Sequence, residues 1–398
     1  MHPVAAAIPQ DLDNRLIDLR RDIHSHPELS HQEVRTTQLI SSLLNDLGIK
    51  TKTPKRGTGV IADIGNEGGP TIALRADLDA LPLQDQKDVV YRSQYENQCH
   101  ACGHDVHTTI LAGVAAQLAQ IRDSLPGKVR LVFQPAEESA DSGAKMLITE
   151  GVLEGVDAMF ALHCDPSMEA GRIGVRTGSI TSATDTLSIR LTRDSSLGPS
   201  GVDKVNPIDG AGHIVTALAH TINNRFQVEH RMLMVFGAIN SEPGYGEIPE
   251  AAVVGGTVRV PEMAIWAKLP EMVATAAESI AGMHGLHAEV IYNRVCPAVV
   301  NDPVATDIFR RTASSLFSPA AIYEAPQSYA GEDFGWYLMQ VPGALCRLGV
   351  AHPGSDVRTD LHTPIFDVDE RAIGIGVRHM TATALAALDR YGSISSCA

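Results

Sequence analysis

Cysteine is scarce in this sequence. Six cysteines are scattered over 398 residues, at positions 99, 102, 164, 296, 346 and 397, with no regular spacing. That excludes a small disulfide-stapled scaffold and fits thiols kept reduced. Positive charge is also in deficit: 32 Lys and Arg face 47 Asp and Glu, a formal net charge of -15. Such a balance opposes bulk attraction to nucleic acid or an anionic membrane, but not to a divalent cation. No uninterrupted apolar run is long enough to span a bilayer. The opening stretch MHPVAAAIPQDLDNRLIDLRRDIH lacks a basic segment followed by a long apolar one, and passes into an amphipathic helical pattern. The expectation is a cytoplasmic protein with neither a nucleic-acid nor a membrane partner.

What is present is an ordinary soluble composition, 44% hydrophobic and 20% charged. The length exceeds what one core usually supports, so two domains are expected. In the first half, short apolar runs alternate with helical patterns. TIALRAD (71–77), VRLVFQP (129–135) and DAMFALH (157–163) read as buried strands; DVHTTILAGVAAQLAQI (105–121) and AKMLITEGV (144–152) read as helices. This is the alternation of a layered α/β domain. Asp77 and Asp79, Glu137 and Glu138, and His163 fall at or just beyond the carboxyl ends of separate strands. Open α/β sheets place their active sites there.

From about residue 185 the texture changes. Strands are expected at 186–194, 232–240, 255–260 and 286–295, and helices at 211–226 and 263–285, enough for a smaller α/β domain. The last hundred residues, with GEDF (331–334), ALCRLGV (344–350) and a helix from Asp369 to Leu388, would complete the first domain. The expected division is a first domain of 1–184 and 298–398, interrupted by an inserted domain of 185–297.

The densest polar cluster is CHACGHDVHTT (99–109). Cys102 and His104, two apart, can aim at one point from an extended loop, and Asp105 could cap the helix that follows. A plain helix entrance with a buried cysteine and surface histidines has the same pattern. FQPAEESADSG (133–143) sets two adjacent carboxylates after a strand, which also suits a solvated acidic turn. ALHCDPS (161–167) and LHTP (361–364) each add a histidine. A cysteine, histidines and glutamates suit one or two borderline-soft metal ions. A structural zinc would want four clustered ligands closed around the ion, and the wide separations here oppose it.

The chain resembles the M20 metallopeptidase and amidohydrolase superfamily, in the branch of N-acyl-amino-acid amidohydrolases that includes hippurate and indole-acetyl-amino-acid hydrolases. The resemblance runs from about Leu16 to Leu388. It rests on RRDIHSHPELSHQE (20–33), LRADLDALP (74–82), HACGHDVHTT (100–109), FQPAEE (133–138), GAKMLITEG (143–151), LHCDP (162–166), YAGEDF (329–334) and DLHTPIF (360–366). It implies a two-domain α/β architecture in which a layered catalytic domain is interrupted by a smaller α/β lid or dimerisation domain. It implies metal ligands at Cys102, His104, Glu138, His163 and His362, with Cys102 as a thiolate between two ions, and Glu137 as general base. Asp79 and His107 match nearby supporting residues rather than ligands. Zinc or manganese leads as the metal, with cobalt or nickel also compatible.

The activity implied is hydrolysis of an amide C–N bond in an N-acyl amino acid or related small molecule, by a homodimer paired through residues 185–297. A protein of this fold that binds metal without catalysis is the competing class; retention of Glu137 with the full ligand set opposes it. Two positions depart from the family pattern. Leu197 stands near the place of a histidine that reaches the scissile carbonyl, and Gly246 stands where an asparagine helps hold substrate. Ser195, Ser196, Asn206 or His213 could substitute, or the substrate could be an atypical aromatic amide or an amino-aromatic acid. Arg225 and Arg259 resemble retained arginines that could pair with an acidic group.

Overall fold

The computed structural model describes residues 2–194, 205–242, 247–355 and 359–395. Two compact units emerge. The first comprises Met1–Gly178, Val300–Pro326 and Trp336–Ala398; the second comprises Ser179–Val299 and Gln327–Gly335.

The first unit is built on an eight-stranded mixed sheet. In spatial order its strands are Thr51–Lys52, Val60–Gly65, Lys128–Gln134, Thr71–Asp77, Ala158–Glu169, Gly343–Ala351, Ile173–Val175 and Ile322–Glu324. The four strands from Lys128–Gln134 to Gly343–Ala351 run parallel. Every residue of Thr71–Asp77 is buried, as its β-branched and aliphatic composition requires. Its two charges neutralise each other, Arg75 Nη1 lying 2.5 Å from Asp77 Oδ2. Because Lys128–Gln134 pairs on one side of this strand and Ala158–Glu169 on the other, the connections diverge at its carboxyl end. That divergence opens the crevice in which such sheets bind ligands.

The helix His104–Ala119 packs against this sheet and against the helices Gln10–Ser25 and Arg371–Ser395. Apolar neighbours surround it, so nearly all of it is buried, including His104, Asp105 and His107. The core clusters Ile72, Leu74, Val106, Ile110, Phe133, Phe160 and Val377.

His163 departs from the expected strand-end position, since its strand continues to Glu169. Pairing explains the geometry. Against Thr71–Asp77 the ladder stops at Arg75 and Ala161, whereas against Gly343–Ala351 it runs on through His163 opposite Arg347. His163 is therefore mid-strand on one side and beyond the end of pairing on the other.

The second unit holds a four-stranded antiparallel sheet in the order Leu286–Cys296, Ala183–Arg193, Ala251–Val260 and Leu233–Glu242. Two helices, Pro207–Asn223 and Met263–Gly282, pack on it. The first begins earlier than hydrophobic spacing suggests. Asn206 Oδ1 accepts the backbone N–H of Ile208 at 3.1 Å, and Pro207 supplies a preset helical φ at the first position. The unit also includes residues 327–335 and so takes in the GEDF stretch expected in the first domain. Backbone contact draws it there: Ser182 N–H donates to Ala330 O at 3.1 Å, and Gly331 packs on Thr184 and Cys296.

Candidate active site and metal centre

Three chain segments meet in the first unit above the carboxyl end of Thr71–Asp77. One carries Cys102 and His104. Between them Gly103 turns the backbone through the left-handed region (φ 87°) to start the helix. A Cβ at that point would lie 2.9 Å from Cys164 Sγ, so only glycine lets the loop approach the strand that bears His163. A second segment, the turn after Lys128–Gln134, carries Glu137 and Glu138. The third carries His362, whose backbone N–H donates to Ala101 O at 2.7 Å. Ala136 (φ 53°) and His362 (φ 59°) both hold left-handed backbone without being glycine, a strain that surrounding bonds must offset.

Among several groups whose donor atoms lie within 4.8 Å of one another, two contain Cys102: Cys102, His104 and His163, and Cys102, Glu138 and His362. They share one sulfur. Cys102 Sγ lies 3.5 Å from His163 Nε2 and 3.3 Å from His362 Nε2, which is itself 3.3 Å from Glu138 Oε1. Glu137 joins His104 and Glu138 in a further group without the sulfur, its Oε2 4.0 Å from His104 Nε2.

The surrounding hydrogen bonds decide which atoms face the centre. His104 Nδ1 donates to Asp79 O and His163 Nδ1 to Cys164 O, each at 2.8 Å, which turns both Nε2 atoms inward. His107 has no free nitrogen for a metal: Nδ1 donates to Asp77 Oδ1 at 2.6 Å, and Nε2 accepts the Cys164 N–H at 2.9 Å. Asp79 clamps the glutamate turn, accepting the N–H of Glu137 at 3.0 Å and of Glu138 at 2.9 Å, while Ser30 donates to it at 2.6 Å. Glu33 accepts the Ala136 N–H at 2.8 Å from the other side. Gly143 completes the turn, because a Cβ there would sit 1.7 Å from Pro135 O.

Electrostatically the site wants positive charge. Burial raises the Cys102 thiol well above its usual range, and Glu138, Glu137 and Asp77 add to this. Burial opposes charge on His104, but Asp77, Asp79 and Glu138 overcome it and bring its pKa up to about 10. Burial would raise Asp77 too, yet His104, Arg75 and His107 hold it well below the carboxylate range. His163 is pushed well down by burial, with His107 and Arg347 adding, so it is a neutral donor.

This donor set fits divalent metal. His104 Nε2 and Glu138 Oε1 are buried without hydrogen-bond partners among the described residues. Nitrogen, oxygen and sulfur donors together suit a borderline-soft ion, and a cation would hold Cys102 as thiolate where bare burial keeps it protonated. A neighbouring group, His24, Asp85 and Cys99, also has close donor atoms. There Lys87 supplies the positive charge, its Nζ 3.1 Å from Asp85 Oδ1 and 3.8 Å from Cys99 Sγ.

Of the expected substrate contacts, Leu197 and Gly246 lie outside the described residues, as do Ser195 and Ser196. Arg259 donates to Tyr329 O at 2.5 Å within the second unit, and Arg225 is exposed there. The Asn206 side chain is spent as a helix cap, and His213 stacks on His284 with ring centroids 4.1 Å apart. Ser30 and Glu33 are not among the expected site residues, whereas Asp77 is expected at a strand end beside the site. The one sequence signal of Ser30 and Glu33 is polarity inside the RRDIHSHPELSHQE stretch.

A layered α/β unit with overlapping donor groups joined at one cysteine belongs to the class of metal-dependent hydrolases acting on C–N bonds. Residues 73–386 match the model of peptidase family M20/M25/M40, and the chain is a member of that family. It is similar to an N-acetyl-L-cysteine deacetylase of Bacillus subtilis, 36% identical over 363 residues, covering 91% of this chain and 85% of that one. It is 40% identical over 376 residues to a protein of Rhodococcus jostii named as a glutamate–cysteine ligase, covering 93% of this chain but only 46% of that one. The chain thus spans under half of that relative. Among solved structures, the YXEP protein of Bacillus subtilis, a dinuclear metal-binding peptidase of the M20 family, is 34% identical with a TM-score of 0.85, covering 96% of this chain and 99% of that one.

Proposed function

We propose that this chain hydrolyses the amide bond of an N-acyl amino acid, with Cys102, His104, Glu138, His163 and His362 holding two divalent ions. The single observation behind this is the sharing of Cys102 Sγ by two donor groups, with the Glu137 carboxylate beside them, 4.0 Å from His104 Nε2. Bound ions supply Lewis acidity that polarises the carbonyl and lowers the pKa of water. Glu137 takes the proton from the attacking water and delivers it to the leaving amine. Its main chain is fixed by Asp79, so the carboxylate needs little reorganisation to reach a proton. His104 and His163, held through their Nδ1 atoms, keep their orientation throughout.

The deacetylase relative supports a short acyl group on an amino acid as the substrate class. Zinc or manganese is the favoured ion, since the mixed donor set accepts either. A homodimer accords with the free edge strand Leu233–Glu242, on which Leu233, Val235 and Ile239 are 42%, 51% and 51% exposed. Among the described residues no helix is long and apolar enough to cross a membrane. The five described cysteines are free and buried, in keeping with a reducing cytoplasm.

The test is a metal-reconstituted activity screen over N-acetyl and N-benzoyl amino acids, dipeptides, aryl amides and amino-aromatic acids, with Glu137→Gln as blank. Turnover of N-acyl amino acids above the blank is expected. Turnover confined to amino-aromatic acids would reject the substrate class, and equal rates in blank and wild type would reject the role of Glu137.

A further inference from the structure

The stretch RRDIHSHPELSHQE contains none of the proposed ligands, yet it carries Arg20, a fully buried arginine. Burying a guanidinium is costly unless it is fully paired, so its partners indicate what it is for. Arg20 Nε donates to Asp105 Oδ2 at 2.7 Å, and its Nη2 donates to Asp367 Oδ1 at 3.0 Å. Its Nη1 reaches Glu370 Oε1 at 3.4 Å. Asp105 follows His104 directly on the same helix. Asp367 and Glu370 lie just after His362. One planar side chain therefore spans two ligand-bearing segments.

Each end of the span is reinforced. On the helix side, His24 Nδ1 lies 2.7 Å from the same Asp105 oxygen that Arg20 contacts. On the other, Tyr91 donates to Asp367 Oδ2 at 2.8 Å, and Arg21 forms a two-pronged contact with Glu370 at 2.9 and 2.6 Å. His362 is where such a tether matters. Its side chain is 53% exposed, against 0% for His104 and 15% for Glu138. Bonds to Asp79 hold the other two from within the site, whereas the more exposed His362 sits on left-handed backbone and is held from the segment that follows it.

We propose that Arg20 is a positioning residue of the metal centre: it joins the helix bearing His104 to the segment bearing His362, and so governs how tightly the Cys102–Glu138–His362 group holds its ion. This rests on the two-ion site proposed above. Arg20 is fully buried, and its carboxylate partners are not proposed ligands. The planar fork is essential, because a lysine keeps the charge but cannot reach carboxylates on both segments at once.

The experiment is equilibrium titration of metal-stripped protein with cobalt(II), following bound metal by elemental analysis and thiolate-to-cobalt absorption by spectroscopy. Wild type, Arg20→Lys and Asp367→Asn are compared, with kcat and KM measured on each. Asp367 is partly exposed, so its amide variant tests the same tether even where the buried arginine variant fails to fold. Expected for both variants is one ion held as in wild type and a second weakened by roughly 10–100-fold, the range for losing a partner behind a ligand. The kcat deficit should be recovered at high cobalt. A merely structural arginine would lower the melting temperature and leave both affinities intact, which would overturn the assignment, as would equal weakening of both ions. Uptake of only one ion by wild type would overturn the two-ion site and this assignment together.

Discussion

The Asp79 carboxylate accepts the backbone N–H of Glu138 at 2.9 Å, and its other oxygen holds Glu137 in the same way at 3.0 Å. A fully buried side chain thus fixes the main chain of the proposed base and of the adjacent ligand. Changing Asp79 to Ala should free the turn and lower kcat by roughly 10–100-fold, the range for partners behind metal ligands. Asp79→Asn, which can present one acceptor oxygen, should retain more. Kinetics of both variants at saturating metal decide this; equal, unimpaired rates would remove Asp79 from the site.

Glu137→Gln keeps the shape of the side chain and loses the proton acceptor. Its rate should fall by ~10²–10⁴ while metal content stays at the wild-type value. Elemental analysis alongside steady-state rates separates this outcome from a general loss of the site.

Cys102→Ala should behave differently. Because Cys102 Sγ is common to both donor groups, its removal should lower the stoichiometry of bound metal as well as turnover. Retention of two tightly bound ions in the alanine variant would show that the sulfur is not shared.

In metal-free protein the raised pKa of His104, about 10, lies above the unfolded value of ~6.5. Its imidazolium therefore contributes stability that is fully present below about pH 6.5 and is lost as pH rises through about 10. Chelator-treated protein should melt at progressively lower temperature across that window, with a smaller change in the metal-loaded protein. A melting temperature that rises over the same interval would contradict the pairing of His104 with Asp77 and Asp79.

Gly103→Ala meets both a left-handed φ and a sulfur 2.9 Å away. The variant should lose on the order of 1–3 kcal/mol of stability from backbone strain alone. Urea unfolding measures this, and an unchanged midpoint would mean that the loop can relax away from Cys164.

The amino-acid sequence by itself determined the layered α/β class, because buried strands such as TIALRAD and the apolar helix from His104 carry their period and burial locally. It also singled out Cys102, His104, Glu137, Glu138 and His163, since strand ends and helix starts announce where an α/β sheet puts reactive groups. His362 stood out in LHTP as one more histidine, but only the resemblance implied that it joins this site: it comes 260 positions after Cys102, whose sulfur it approaches to 3.3 Å. Tertiary structure alone decided the rest. Whether His163 was a strand end or mid-strand depended on two ladders of unequal length, and the physical reason for the supporting role that the resemblance implied for His107, both nitrogens taken, depended on Asp77 and Cys164. Asn206 shows the same limit in the second unit, its amide oxygen used to start a helix. The partners of Arg20 and Asp79 are set by which distant segments fold together, and no local pattern of polarity or periodicity encodes a hydrogen bond between residues brought together only when the chain has closed.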